Sequence, residues 1–272
     1  MKAVEIAIDE WFGCVHLVLV GDLHLGHSQV NEALVAQTAK RLQAEDTYWI
    51  DLGDSIDAIR MSDPRFDVRS LPDWIGKADL MDIPRAQVDR YRHYFGRLGK
   101  TCWARLFGNH EATLQKYTER DIYSELNDAI GLPKERALGY SGFVRLRFRR
   151  RRGTDNHILN TWTQTIYISH GSGGGKLAGG KALNLERLPI GFDADIYARG
   201  HTHTKLVLPK RQIGVSPRTL EIVDKQQIMI NVGAYLDGKR GYPEYAGLYP
   251  QSMGPVELWF YPSKKLIRIV VD

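Results

Sequence analysis

The sequence predicts an α/β domain built on a parallel sheet, and three observations carry that reading. Short aliphatic runs alternate with segments of helical apolar spacing. Each early run leads within three residues to a glycine followed by a polar residue. No apolar run approaches the ~20 residues of a membrane-spanning helix.

The elements follow in order. Val15 to Val20 is a β-branched and aliphatic run that reads as a buried strand, ending in Gly21-Asp22-Leu23-His24. Helical spacing runs from about Gln29 to Gln43, through Val30, Leu34, Val35, Thr38 and Leu42. Thr47 to Ile50 reads as a second strand, ending in Asp51-Leu52-Gly53-Asp54. Pro64, Pro72, Gly76 and Pro84 then interrupt the pattern, so residues 62–82 are expected to form an insertion, either a lid over the site or a surface excursion. A helix is expected from Pro84 to Leu98, with proline at a permitted first-turn position. The strand from Cys102 to Phe107 ends in Gly108-Asn109-His110-Glu111, and a further helix is expected from Tyr117 to Ile130.

The middle of the chain changes character. Phe143 to Arg149 alternates, and Ile158 to Ile168 is strand-like, so residues 140–168 read as a β-hairpin with an arginine-rich tip. Its second strand ends in Ser169-His170-Gly171, before a glycine-rich loop that reaches Gly180 and a short helix from Lys181 to Leu188. Ile196 to Arg199 reads as a strand ending in Gly200-His201-Thr202-His203. Strands are expected at 205–208, 219–223, 227–232, 256–261 and 266–271. No linker divides the chain, so residues 1–272 are expected to form a single domain.

Composition narrows the function classes. Hydrophobic residues make up 43% and charged residues 25%, which suits a globular protein with a sizeable core. The N-terminal residues lack the pattern of a signal peptide. Cys14 and Cys102, the two cysteines, lie in apolar runs and read as buried thiols in a reducing compartment. A cytoplasmic location without membrane attachment is therefore expected; oligomeric state is left open. The net charge of +5 suits an anionic substrate without demonstrating nucleic acid.

Five corners carry donor side chains: Asp22 and His24, Asp54, Asn109 and His110, His170, and His201 with His203. Loops at strand ends can converge on one edge of a sheet. With His110 left out, three oxygen and four nitrogen donors are too many for one ion, so a two-metal site is expected. Mixed imidazole and carboxylate donors suit manganese, iron, zinc or cobalt better than magnesium or calcium. Asp-X-His and His-X-His place two donors on one face of an extended segment.

As a set and in this order, the five blocks resemble the calcineurin-like metallophosphoesterase superfamily. The resemblance spans residues 22 to 203. It implies a four-layer α/β/β/α sandwich of two mixed sheets flanked by helices, with a dinuclear metal site at the strand C-terminal ends. It implies that Asp22, His24, Asp54 and His203 hold one divalent metal. Asp54 would bridge to a second, held also by Asn109, His170 and His201. Manganese is the expected metal, with iron, zinc and cobalt as alternatives. His110 would contact the phosphate and serve the leaving oxygen, while a hydroxide activated by both metals attacks phosphorus. Gly53-Asp54-X-X-Asp57 is also similar to the phosphoprotein-phosphatase branch, where the second aspartate orients the catalytic histidine. Ala58 replaces the arginine that follows there, so Asp57 is carried over only as a partner for His110.

Substrate class is less sharply marked. The opening block is similar to those of the repair-nuclease branch and the lipid A precursor pyrophosphatases, and the latter typically carry arginine where His110 stands. A sequence pI of 9.1 and the arginine tip favour a phosphodiesterase acting on nucleic acid, DNA or RNA, with Arg149 and Arg150 touching substrate. Tyr235, Tyr242, Tyr245 and Tyr249 would stack on bases or pack a loop. The stretch from Gly175 to Lys181 fits Gly-X4-Gly-Lys, but Ala182 follows where a P-loop has serine or threonine, which argues against a nucleotide P-loop. Lys176 there is a candidate phosphate contact, and His27 a candidate at the site entrance. The alternatives are a small-molecule or nucleotide phosphatase or phosphodiesterase, and a non-catalytic nucleic-acid-binding protein on the same fold.

Overall fold

The computed structural model describes residues 1–64, 66–153, 157–173, 177–237 and 251–271. Two six-stranded sheets form its frame, both mixed and both flanked by helices. The first contains β1 (Lys2–Ile8), β6 (Ser141–Arg151), β7 (Ile158–Ser169), β8 (Ile196–Arg199), β10 (Ile222–Asn231) and β9 (Leu206–Val215), in that spatial order. The second runs β12 (Leu266–Val270), β11 (Val256–Tyr261), β2 (Val15–Val20), β3 (Thr47–Asp51), β4 (Cys102–Leu106) and β5 (Ala137–Gly139). Strands β2, β3 and β4 are parallel neighbours, and so are β7, β8 and β10.

Strand alternation sorts the side chains into separate cores. On β2, Leu17 and Leu19 join Val144, Ile166, Ile196 and Ile230 of the other sheet in one apolar cluster. Val18 and Val20 face the opposite way. They meet α1 (Glu32–Leu42), α2 (Ile83–Phe95) and α4 (Ile122–Ile130) through Val35, Tyr91, Phe95 and Leu126. A smaller cluster packs Tyr167, Tyr197 and Met229 against Leu185 of α5 (Ala178–Glu186) and Leu188 of α6 (Leu188–Gly191). Among the described residues no helix is long and apolar enough to cross a membrane.

Four departures from the sequence expectations bear on the site. Asn109 to Tyr117 is itself a helix, α3, beginning directly after Gly108. The helix expected from Tyr117 onward starts only at Ile122, where the Asp121 side chain accepts the Ser124 N–H and caps it. Second, β1 was not anticipated; most of its residues are exposed on a sheet edge, so its apolar signal is weak. Third, 219–223 and 227–232 are mostly one strand, β10, paired with a longer β9. The polar run Asp224-Lys225-Gln226 hides it, because that end of the hairpin extends into solvent. Fourth, Cys102 is a buried free thiol, but Cys14 is only half-buried.

Residues 62–82 are held to the helical flank of the second sheet. Two single 3₁₀ turns, Val68–Ser70 and Asp79–Asp82, punctuate the segment. The Ser28 N–H donates to the Ser70 carbonyl at 2.7 Å. Trp74 Nε1 donates to the Glu32 carboxylate at 2.5 Å, and the Tyr94 hydroxyl donates to it at 2.7 Å. Arg90 pairs with the same carboxylate and lies 5.2 Å from the Trp74 ring centre. Burial raises the Glu32 pKa, but Arg90, Tyr94 and Trp74 outweigh it and leave the carboxyl below its ordinary value of 4.5. The clamp is therefore complete above that value and is lost as pH falls through the lowered one. Glu32→Gln should destabilise the chain by about 1–2 kcal/mol at neutral pH. Urea denaturation measures this, and the difference from wild type should shrink in acid. An unchanged midpoint at neutral pH contradicts the clamp.

Candidate metal centre

The five polar corners meet where the parallel strands of both sheets end. β2 delivers Asp22 and His24, β3 delivers Asp54 and β4 delivers Asn109. From the other sheet, β7 delivers His170, and β8 delivers His201 and His203. Backbone hydrogen bonds hold the first two corners together: Asp22 N–H to Gly53 O at 2.9 Å, and His24 N–H to Asp54 O at 3.0 Å. The Asp22 carboxylate reaches across the sheets and accepts the His201 N–H at 2.9 Å.

The corners are conformationally costly. Asp22, His24, Asp54, His201 and His203 all have φ between 48° and 66°. Residues other than glycine occupy that left-handed region at a cost of order 1 kcal/mol or more each. Such a concentration marks a place where side-chain position outweighs backbone comfort.

The donors converge on two adjacent points. Asn109 Oδ1 lies 2.9 Å from His170 Nε2 and 2.7 Å from His201 Nδ1, and Asp54 Oδ2 lies 3.2 Å from His170 Nε2. His170 Nδ1 lies 2.8 Å from the Leu52 carbonyl, to which it donates. That bond orients the ring and turns Nε2 toward Asn109 and Asp54. Burial opposes the charged ring, but the Asp54 hydrogen bond and the charges of Asp54 and Asp22 raise the His170 pKa to about 9, so a bound cation would take the place of the Nε2 proton. At the second point His24 Nε2 and His203 Nε2 stand 3.0 Å apart, with Asp22 Oδ1 3.7 Å from His203 Nε2. Asp54 Oδ2 also lies 3.9 Å from His24 Nε2, so one carboxylate borders both points. The donor atoms of Asp22, His24 and His203 lie within 4.8 Å of one another, as do those of Asp54, His170 and His201. Lone pairs aimed at each other repel unless a proton or a cation lies between them. This donor set therefore fits two divalent cations of the nitrogen- and oxygen-binding kind.

Electrostatics agree with the crowding. Burial pushes Asp22 up to about 6. Burial also opposes ionisation of Asp54, but its hydrogen bond to His170 and the nearby imidazoles hold it well below the usual carboxylate range. Burial and the charge of His170 push His201 down to about 4, which keeps its ring neutral and able to offer a lone pair.

His110 stands beside this centre. Its Nδ1 lies 2.9 Å from the Asp57 carbonyl oxygen and 3.3 Å from Asp57 Oδ1. Its ring packs edge-on to His24, with centroids 4.5 Å apart. Asp57 is itself 3.8 Å from His24 Nδ1. The His110 N–H donates to Asp54 Oδ1 at 2.9 Å, so α3 begins by bonding the shared carboxylate.

The other sequence candidates separate. His27 stays close, with its N–H on the His24 carbonyl at 3.1 Å, and burial lowers its pKa. Arg149 and Arg150 lie away from the donor corners. Arg149 pairs with Thr161, eight residues from Ser169, or roughly 26 Å along β7 from the metal centre. Arg149 and Arg151 both bind Asp9 at 2.7–2.9 Å, and Arg150 lies over the Phe12 ring at 5.1 Å. Arg145 and Arg147 approach Glu5 at 3.9 and 3.8 Å. The unanticipated β1 thus brings Glu5, and Asp9 just beyond its end, opposite the arginine run. Tyr235 is fully buried, with its hydroxyl 3.1 Å from Thr38 Oγ1, so it packs rather than stacks on bases. Lys176, Tyr242, Tyr245 and Tyr249 lie outside the described residues.

A buried polar support beneath the site escaped sequence reasoning. Glu111 accepts the Ser55 N–H at 2.7 Å and the Asp54 N–H at 3.2 Å. Burial, with the charge of Asp54, pushes Glu111 up to about 7. Arg105, fully buried, donates to Asp51 at 3.0 Å and to Ser55 Oγ at 2.9 Å. Tyr91 closes the group with its hydroxyl on Asp51 at 2.9 Å. The available signal was a lone arginine inside the apolar run Trp103-Ala104-Arg105-Leu106. A cleft of about 670 Å³ also opens beside Asn109 and His170, lined in part by Thr113, Lys116 and Tyr140.

No protein-family model matches the chain, and no curated protein matches it. Solved structures give distant likenesses. Yfce, a phosphoesterase from E. coli, is 15% identical, with 94% of this chain and 98% of that one covered and a TM-score of 0.39. A metallophosphoesterase from Sphaerobacter thermophilus is 14% identical, with 94% and 86% covered and a TM-score of 0.38. An uncharacterized protein from Streptococcus pneumoniae TIGR4, described as a predicted phosphoesterase, is 12% identical, with 92% and 84% covered and a TM-score of 0.33.

Gly108 gives the site its sharpest steric test. A Cβ added there would sit 2.1 Å from Asp54 Oδ1 and 2.2 Å from Asp54 N. Mn²⁺ should raise the melting temperature of the wild type, and Gly108→Ala, by displacing Asp54, should abolish that rise. Far-UV circular dichroism should remain that of a folded chain. A variant stabilised by Mn²⁺ as strongly as the wild type contradicts this geometry.

Proposed function

We propose that this chain is a dinuclear metal-dependent phosphoester hydrolase acting on a phosphodiester. One observation carries the reading: seven donor side chains converge on two adjacent points, with an eighth residue, His110, beside them and held by a carboxylate. Two divalent cations bound there would neutralise phosphate oxygens and make a water acidic enough to attack phosphorus. Manganese is the proposed metal.

The chain's own residues supply the rest. Asp54 borders both donor groups and keeps them adjacent. Asp57 holds His110 through Nδ1, which leaves Nε2 as the ring atom that carries a proton toward the leaving oxygen. Burial disfavours the charged form of His110, but the Asp57 hydrogen bond and the charges of Asp54 and Asp57 raise its pKa to about 9. A histidine protonated at neutral pH suits an acid, not a base.

Nucleic acid has less support as substrate, because Arg145, Arg147, Arg149 and Arg151 face Glu5 and Asp9 away from the donor corners. A small phosphodiester is supported instead by the cleft of about 670 Å³ beside Asn109 and His170. A non-catalytic binding role gives no reason to keep a complete donor set. We read residues 1–272 as one domain, with 62–82 bordering the His27 side of the site.

The test is hydrolysis of bis-p-nitrophenyl phosphate with added Mn²⁺. Wild type should turn over, lose activity to a chelator and regain it with metal. His110→Asn should lower kcat by about 10²- to 10⁴-fold while keeping the Mn²⁺-induced thermal stabilisation. Loss of that stabilisation as well would mean that His110 holds metal rather than protons.

A further inference from the structure

The cleft of about 670 Å³ beside the metal centre has a regular construction. One wall is α3, which starts at the metal-type residue Asn109. Ala112, Thr113 and Lys116 follow Asn109 at steps of three, four and seven, so all four share one helix face. The small Ala112 leaves the wall open next to the centre. Seven residues at about 1.5 Å each put Lys116 roughly 10 Å along the wall.

The opposite wall begins with Tyr140 and Ser141, at the β5–β6 junction, and ends with Ser172, beyond β7. Tyr140 is 62% exposed, and Phe107 supports its ring at a centroid distance of 5.2 Å. The Tyr140 carbonyl accepts the His170 N–H at 3.2 Å, which ties this wall to the metal centre. Among the described lining residues there is no carboxylate, and Lys116 is the one lysine or arginine. The cleft therefore offers a flat aromatic face, hydroxyls and a cation well away from the reacting phosphate.

On the phosphoester reading above, we propose that this cleft seats the organic part of the substrate. The substrate class is a small phosphodiester whose organic part carries a flat ring and a second anionic group; a nucleoside bisphosphate presents the same ring and two anions and serves as a competitor. Tyr140 stacks on the ring, and Lys116 pairs with the second anion. Thr113 spends its hydroxyl on the Asn109 carbonyl at 2.7 Å and shapes the wall without reading the substrate.

The experiment measures competition against bis-p-nitrophenyl phosphate turnover by the full chain in Mn²⁺. Adenosine 3′,5′-bisphosphate and adenosine 5′-monophosphate are the probes. The wild type should bind the bisphosphate about tenfold more tightly. Lys116→Ala should bring the ratio of the two inhibition constants close to one, and Lys116→Arg should keep it. This ratio is internal to each variant, so a general change in activity does not move it. Tyr140→Ala should weaken both probes about tenfold, and Tyr140→Phe should restore both. A wild-type ratio near one, or a ratio that survives Lys116→Ala, overturns the proposal while bis-p-nitrophenyl phosphate is still hydrolysed. Absence of that hydrolysis in the wild type overturns the phosphoester reading and this proposal with it.

Discussion

The carboxylate of Asp54 is the constraint on which the rest of the site depends. It is buried, and a buried carboxylate stays ionised only if neighbours replace the water it has lost. Those neighbours come from both sheets: His110 N–H from the start of α3, His170 from the end of β7, and His24 from the corner after β2. The Asp54 backbone is held in turn by Glu111, and the same loop rests on Asp51, Ser55 and Arg105. Removing one member of such a network leaves a buried polar group without a partner, and that loss exceeds the worth of a single hydrogen bond. The two sheets are thus coupled at their ends by polar contacts, and along their length by the apolar core between them.

That coupling makes the conformation of the corners intelligible. Five donor residues hold left-handed backbones, and two histidine ring nitrogens stand 3.0 Å apart at the metal centre. Neither arrangement is favourable by itself. Both persist because the strands delivering them are buried, β2 and β8 at every position and β3 at all but Tyr48. The sheets supply the stability that the corners consume, and the corners supply a cradle for positive charge.

Much of this was legible in the sequence because it depends on local rules. Apolar runs ending in Gly-Asp, Gly-Asn, Gly-His or Ser-His-Gly mark buried strands that hand polar side chains to a common edge. The donor corners at Asp22, Asp54, Asn109, His170 and His201 followed from those rules. What stayed hidden depends on pairing between distant segments. Nothing in the arginine run reveals that Glu5 and Asp9 lie opposite it, because β1 and β6 are neighbours across more than 130 residues. Arg105 looked like an interruption in a strand, although its partners Asp51 and Ser55 are 54 and 50 residues away. The cleft wall was hidden for another reason. Gly108-Asn109-His110 reads as the corner that ends a strand, with the next helix expected only from Tyr117, whereas Asn109 itself opens a helix, and only that helix puts Lys116 on the same face.

The central claim is that one carboxylate joins two cation sites. Its most direct measurement is the number of divalent cations retained per chain after equilibrium dialysis against Mn²⁺, read by elemental analysis. The account predicts two per chain for the wild type and fewer than one for Asp54→Ala, with both variants folded. A wild type that retains one cation or none, or an Asp54→Ala chain that still retains two, contradicts it.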